Sequence, residues 1–409
     1  MEFPKNFYWG AATSSYQVEG CNNNADWWQW EPRAGKEPSG DACRHYELYE
    51  TDFDLVKGLN HNAHRLSIEW SRIEPQEGLF SDEAVNHYVK VIKALRARGI
   101  EPMVTLHHFT NPIWFAASGG WVNKRCISRF VRYCEFVVRA LGTDVRYWFT
   151  INEPTVYFSH AYLWGMWPPQ KRSFLQMMTV YRHLNEAHVK AYQRIHQIYQ
   201  ELNWKKPAVG IAHHMQAVAA CDTRLVNRFA AALRAQLYNL QLLDYLARNK
   251  SLDFIGVNYY SRHLVHAHSW WIGDLLMETC KDNHHLLRTN SLGWGIYPEG
   301  LLQVLVSLKK YNVPVLISEN GICTDDDNQR WEFIQSHLEN VHLAIQQGVP
   351  VIGYLYWSLM DNFEWAYGFR PRFGLIEIDY KTAHRTVRES AKKFGEICKK
   401  NNLCVDRHL

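Results

Sequence analysis

Two glutamates stand far apart in the chain in settings that end a strand, Glu153 in Asn152-Glu153-Pro154 and Glu319 in Glu319-Asn320-Gly321. Each follows a short run rich in aromatic, β-branched or other apolar residues, Tyr147 to Ile151 and Val315 to Ser318, which reads as a strand. Two carboxyl groups that meet across a cleft can divide the breaking of a glycosidic bond. One protonates the departing oxygen while the other attacks the anomeric carbon or activates water. A gap of about 5 Å goes with retention of configuration and one of about 6.5–9.5 Å with inversion. Taken singly, Glu before Asn-Gly is an ordinary turn and Asn-Glu-Pro an ordinary strand end followed by a helix start. The chemistry therefore needs a fold that carries both strand ends to one place.

The apolar periodicity supplies such a fold. Eight strand-like runs recur, at Phe7 to Ser14, Ala63 to Ile68, Glu101 to Leu106, Tyr147 to Ile151, Ala208 to Ala212, Phe254 to Asn258, Val315 to Ser318 and Val351 to Trp357. Between them lie amphipathic stretches long enough for crossover helices, at Glu83 to Arg98, Ser128 to Leu141, Met177 to Glu201, Leu225 to Arg248, Pro298 to Tyr311 and Arg330 to Gln347. Gly99, Gly142, Pro207 and Gly348 act as helix stops. No linker-like break divides the chain, so the expectation is an α/β protein with one (β/α)8 TIM barrel spanning residues 1–409 as a single domain. A doubly wound open sheet is the alternative, but neither G-x-G-x-x-G nor G-x-x-x-x-G-K-[ST] is present. Barrel enzymes carry their sites at the carboxyl ends of the strands. Those ends here bear Arg65 and Glu69, His107-His108, Asn152-Glu153, Asn258-Tyr259-Tyr260, Glu319-Asn320 and Trp357.

Composition narrows the class. Of 409 residues, 47% are hydrophobic and 21% charged, enough for a large core, which excludes disordered and fibrous chains. The net charge of +4 is scattered, so neither nucleic acid nor an anionic membrane is an expected partner. The nine cysteines, without a C-x-x-C pair, point to free thiols rather than a disulfide framework or a zinc site. With no signal-like start and no long apolar stretch, a cytoplasmic location is expected. Aromatic residues reach 14%, a surplus that weakly favours carbohydrate because sugar faces lie on aromatic rings. His213-His214, His263, His266, His268 and His284-His285 lack H-E-x-x-H or mixed Cys/His spacing, so a structural or rim role is expected and no metal or cofactor.

Five segments, in order, then carry a resemblance. They are Phe7-Tyr8-Trp9-Gly10-Ala11-Ala12-Thr13-Ser14-Ser15-Tyr16-Gln17-Val18-Glu19-Gly20, Arg65-Leu66-Ser67-Ile68-Glu69-Trp70-Ser71-Arg72-Ile73, Thr150-Ile151-Asn152-Glu153-Pro154, Ile317-Ser318-Glu319-Asn320-Gly321, and Trp357-Ser358-Leu359-Met360-Asp361-Asn362-Phe363-Glu364-Trp365. Together they resemble the glycoside hydrolase family 1 β-glucosidases over essentially the whole chain. The resemblance implies a retaining, exo-acting β-glycosidase working by double displacement on terminal β-glycosides and oligosaccharides, glucosides first and also galactosides and fucosides, with some transglycosylation. It implies Glu319 as nucleophile and Glu153 as acid, then base. Arg65 and the Tyr260 hydroxyl would keep Glu319 ionised, and that charge would raise the Glu153 carboxyl.

The resemblance further implies that Gln17, His108, Asn152, Glu364 and Trp365 contact sugar hydroxyls, with Trp357 as the platform under the ring. Asn258 is implied as a supporting polar residue, Phe373 as a wall of the sugar site and Trp294 as a wall for the leaving group. Phe109 and Gly295 depart from the Trp and Glu common in the family, which bears on the aglycone more than on the reaction. Two rivals share the fold. A 6-phospho-β-glucosidase would need a cationic clamp where Glu364 and Trp365 stand, with only Arg370 and Arg372 nearby. A non-catalytic sugar-binding barrel would have no need of both carboxylates.

Overall fold

A computed structural model describes residues 1–270 and 288–404. Twelve strands are found among them: β1 (Tyr8–Ala12), β2 (Ala63–Ser67), β3 (Glu101–His107), β4 (Tyr147–Asn152), β5 (Ala208–His214), β6 (Ala217–Ala220), β7 (Phe254–Asn258), β8 (Arg262–Val265), β9 (Val315–Asn320), β10 (Val351–Trp357), β11 (Ile376–Asp379) and β12 (His384–Val387). Eight of them close a barrel in the order β1-β10-β9-β7-β5-β4-β3-β2, and every pairing in it is parallel. This is the expected TIM barrel, and the open-sheet alternative falls with its closure. The eight expected runs supply the eight staves.

Helices follow the staves in turn, among them His45–Gly58, Asp82–Ala97, Cys126–Leu141, Phe174–Glu201, Pro298–Ser307, Asp327–Gln346 and Glu389–Lys400. Their ends obey local rules. Ser81 caps Asp82–Ala97 by accepting from the Ala84 amide, acidic Asp82 and Glu83 sit in its first turn, and Gly99 leaves it at φ +71°. The stretch Leu225 to Arg248 is not one helix. It runs as Leu225–Arg234, a wider π turn over Ala235–Leu240, and Gln241–Arg248. Two small additions stand outside the barrel, the parallel pair β6 and β8 and the antiparallel pair β11 and β12.

The barrel interior is plugged by Ala63, Met103, Tyr147, Phe149, Ala212, Phe254, Leu316 and Leu355, one cluster drawn from seven staves. Phe254 stands edge-on to both Tyr147 and Phe149. Such a plug leaves no pore, so chemistry has to happen on top of it. The Arg65 guanidinium lies over Phe149 of this plug, 4.8 Å from its ring centre.

Cys221 is disulfide-bonded, which corrects the expectation of free thiols at that position: pairing depends on which thiols the fold brings together, which an odd count does not reveal. Cys280, His284 and His285 lie outside the described residues. Among the described residues no helix is long and apolar enough to cross a membrane.

Candidate active site

Glu153 and Glu319 reach the same end of the barrel, one from the residue after β4 and the other from within β9. Both side chains are buried. Glu153 sits in the left-handed region, φ +42° and ψ +58°, between the end of β4 and the helix Pro154–Phe158. That conformation is strained for a residue with a Cβ, at roughly 1–3 kcal/mol, and such strain gathers at functional sites. Its amide is anchored to the Ala212 carbonyl at 2.7 Å. Phe109 at φ +73° and Trp365 at φ +52° share the left-handed state and flank the same space.

One continuous hydrogen-bonded chain joins the two carboxyls. Arg65, fully buried in β2, donates through Nη1 to Glu319 Oε1 and through Nη2 to Asn152 Oδ1 at 2.6 Å. Asn258 Nδ2 donates to Asn152 Oδ1 at 3.2 Å and to Glu153 Oε1 at 2.8 Å. Ser318 Oγ fixes Asn258 from below by donating to its Oδ1 at 2.6 Å. The second oxygen of Glu319 accepts from the Tyr260 hydroxyl at 2.5 Å. Burial and the Glu319 charge hold that phenol well above its ordinary range, so it stays a donor.

The proton balance differs from the sequence expectation. Burial pushes the Glu319 carboxyl up to about 7; the Arg65 charge opposes this, the Glu153 charge adds to it, and the Tyr260 donor opposes it again. Arg65 and Tyr260 therefore do not hold Glu319 in the ordinary carboxylate range, because desolvation of a fully enclosed carboxylate outweighs them. Glu153 is buried too, which raises it. His214, 3.4 Å away, together with the Asn258 donor and Arg65, acts in the opposite direction and draws it below its ordinary range. The hydrogen-bond pattern identifies the oxygen free to hold an acid proton. Both oxygens of Glu319 face donors, whereas Glu153 is bonded through Oε1 alone, so a proton on Glu153 Oε2 displaces no hydrogen bond.

The other expected residues converge as well. His108 lies between two indoles, with Trp357 at 6.0 Å and Trp365 at 6.1 Å and planes tilted by 18° and 13°. Burial drives it well below its ordinary range, so the ring is neutral, and its Nε2 meets Asn152 Nδ2 at 3.2 Å. Gln17 Nε2 donates to Asn362 Oδ1, the Phe363 carbonyl and Glu364 Oε2, while Ser14 Oγ donates to Gln17 Oε1. Burial pushes Glu364 up to about 8, with the charges of Glu319 and Glu153 adding to the rise. Trp357 and Phe373 form one cluster with Ala12 and Cys323, against which Tyr260, Leu292 and Trp294 pack. Trp294 and Phe373 approach at 6.2 Å, so the two expected walls adjoin.

Gly321 explains how β9 and β10 meet here, since a Cβ on it would lie 1.7 Å from the Trp357 carbonyl oxygen. Trp167 is buried against Trp27, Phe109 and Trp365, whereas Trp164 is exposed at the rim. One contributor escapes the sequence reading, His214 at the end of β5, which stacks on Tyr260 and faces Glu153. Its signal is its position: His213-His214 follows a predicted strand just as His107-His108 does.

The likeness to known proteins points the same way. The pattern of glycosyl hydrolase family 1 matches residues 1–248 and 231–403. The chain is 31% identical to β-glucosidase A of Thermotoga maritima over 98% of its length and 99% of that protein. It is 32% identical to the 6-phospho-β-glucosidase GmuD of Bacillus subtilis, covering 97% of both. Among solved structures, a β-glycosidase from Pyrococcus horikoshii superposes with a TM-score of 0.92 at 39% identity, over 99% of this chain and 96% of that one. With a closed parallel barrel, two buried glutamates joined across its mouth and full-length likeness of this order, the chain belongs to glycosyl hydrolase family 1 and is a β-glycosidase.

Proposed function

We propose that the chain, acting as one catalytic domain over residues 1–409, is a retaining exo-β-glucosidase that also accepts β-galactosides and β-fucosides. The observation that carries this reading is the hydrogen-bonded chain from Glu319 through Arg65, Asn152 and Asn258 to Glu153, which sets two carboxyls of unequal surroundings across one space. Glu319 attacks the anomeric carbon as a carboxylate while Glu153 delivers its proton to the glycosidic oxygen, and the C–O bond to the leaving group breaks. Water then loses a proton to Glu153 and attacks the same carbon, releasing Glu319 as a carboxylate. An acceptor sugar in place of water gives transglycosylation.

Binding follows from the residues around the pair. Trp357 provides the platform, and Gln17, His108, Glu364 and Trp365 supply contacts for hydroxyls remote from the reacting carbon. Asn152 is suited to the 2-hydroxyl, because Arg65 and Asn258 both donate to its Oδ1 and its Nδ2, which meets His108 Nε2 through one N–H, has a second N–H to donate. Phe373 and Trp294 bound the aglycone side. The 6-phospho alternative meets an obstacle. Arg372 donates to Asp361 and to the Ile378 carbonyl and lies over the Tyr380 ring, so it is already committed. A phosphate would also adjoin Glu364.

The stereochemical course tests the reading. Proton NMR of the first-formed sugar from an aryl β-glucoside is expected to show the β-anomer, with the α-anomer appearing only through mutarotation. An α-anomer as first product would make the enzyme inverting and remove Glu319 as a nucleophile.

A further inference from the structure

His214 closes β5 with its ring parallel to Tyr260, centroids 6.0 Å apart at 18°, and edge-on to Tyr238. Its Nδ1 is buried, has no hydrogen-bond partner of ordinary length, and lies 3.4 Å from Glu153 Oε1. Its Nε2 meets the side-chain amide nitrogen of Gln216 at 3.2 Å. An amide nitrogen only donates, so Nε2 is the accepting nitrogen and the ring proton resides on Nδ1, toward the carboxyl. The backbone of Gln216 is pinned: its amide donates to Asn239 Oδ1 at 3.1 Å, and Asn239 Nδ2 donates back to its carbonyl at 2.7 Å.

Glu153 Oε1 therefore faces two donors, Asn258 Nδ2 at 2.8 Å and His214 Nδ1. Two donors facing Oε1 disfavour a proton there, which leaves Oε2 to carry the acid proton. The other titratable groups facing His214 are silent near neutrality. Burial lowers His160, His213 and His263 to about 4 and raises the phenols of Tyr238 and Tyr260.

We propose that His214, as the Nδ1–H tautomer fixed by Gln216, is a positioning residue for proton transfer: it holds Glu153 Oε1 so that Oε2 faces the leaving oxygen, and it stabilises the carboxylate Glu153 becomes. The proposal rests on Glu153 being the acid and base. In the first step the Oε2 proton passes to the glycosidic oxygen. In the second, Oε2 takes a proton from the attacking water as the bond to Glu319 breaks. His214 donates a hydrogen bond throughout and never gives up its own proton.

The test is the pH profile of kcat/KM on an aryl β-glucoside with a poor leaving group, whose alkaline limb reports loss of the Glu153 proton. A donor to the anion lowers that limb, so His214→Phe is expected to move it upward by about half a pH unit to one unit. His214→Gln, which retains a neutral N–H, brings it back toward the parent. Gln216→Leu, which frees the tautomer, moves it upward as well and serves if His214→Phe does not fold. A merely structural histidine would lower activity at every pH and leave the limb in place, and that result overturns the proposal. Equal shifts in the Phe and Gln variants overturn it too. Glu153→Ala with added azide is measured alongside. Rescue with an unmoved limb sinks the His214 role alone, whereas absence of rescue sinks it together with the Glu153 assignment.

Discussion

The hydroxyl of Tyr260 donates at 2.5 Å to Oε2 of Glu319, the oxygen that Arg65 leaves free. Burial alone would make Glu319 a poor carboxylate at neutral pH, and this bond is one of the two direct donors that oppose it. Glu319 works as an anion, so activity is lost as pH falls through its pKa. The acid limb of kcat/KM therefore reports protonation of Glu319, which burial draws upward. Tyr260→Phe removes a donor to the anion, raises that pKa and moves the limb to higher pH. At neutral pH the accompanying loss in kcat/KM is roughly 10- to 100-fold, the worth of a hydrogen bond to a charged group. A limb that stays put or moves to lower pH in the variant contradicts the arrangement.

Removing the acid should hurt in proportion to how much the leaving group needs a proton. Glu153→Ala is expected to lower kcat/KM by roughly 10²- to 10⁴-fold on alkyl or poorly activated aryl glucosides and far less on dinitrophenyl glucosides. Azide should raise turnover on the activated substrates and yield the β-glycosyl azide. Equal losses on both substrate classes, without azide rescue, would take the proton transfer away from Glu153.

Gly321 offers a test on the packing side. Because a Cβ there would fall 1.7 Å from the Trp357 carbonyl oxygen, neither backbone can accommodate it by a rotamer change. Gly321→Ala is expected to destabilise the fold by about 1–3 kcal/mol, the usual range for overpacking, and to depress activity by displacing Glu319. A melting temperature within about 1 °C of the parent would show that the strands separate more easily than the contact implies.

Much of this was legible in the residues. Phe254–Asn258 and Val351–Trp357 match their expected bounds, because in a barrel the parallel strands are near-continuous apolar runs. Two strands stop short of their expected ends, β1 at Ala12 and β2 at Ser67, while others outrun the apolar signal at their carboxyl ends, β3 to His107, β4 to Asn152, β5 to His214 and β9 to Asn320. These extra residues are polar and buried or half-buried, held by hydrogen bonds that only the folded barrel creates, so periodicity stops where the site begins. The same blind spot hid His214, which reads from sequence as one more rim histidine. Desolvation was equally invisible: the expectation for Glu319 counted Arg65 and Tyr260 but not the enclosure that outweighs them. The break of Leu225 to Arg248 into two helices about a π turn leaves the apolar spacing almost unchanged and so gives no warning.

Substrate choice separates this chain from its phosphoglycosidase rival. With Arg372 tied to Asp361 and Glu364 half-buried beside the sugar platform, a 6-phosphate finds no free buried cation among the described residues in that loop. Aryl β-glucoside is expected to exceed its 6-phosphate in kcat/KM by roughly 100-fold or more, the penalty of an unpaired charge in a closed site. Parallel initial rates on the two compounds measure the ratio, and a preference for the phosphate would reverse the substrate assignment.

The most direct measurement is to trap the intermediate. Incubation with dinitrophenyl 2-deoxy-2-fluoro-β-glucoside, followed by proteolysis and mass spectrometry, should add one fluoroglucosyl group to the peptide carrying Glu319, with activity lost in step with labelling. Label on the peptide carrying Glu153, or full turnover with no covalent adduct, would contradict the assignment of Glu319 as the nucleophile.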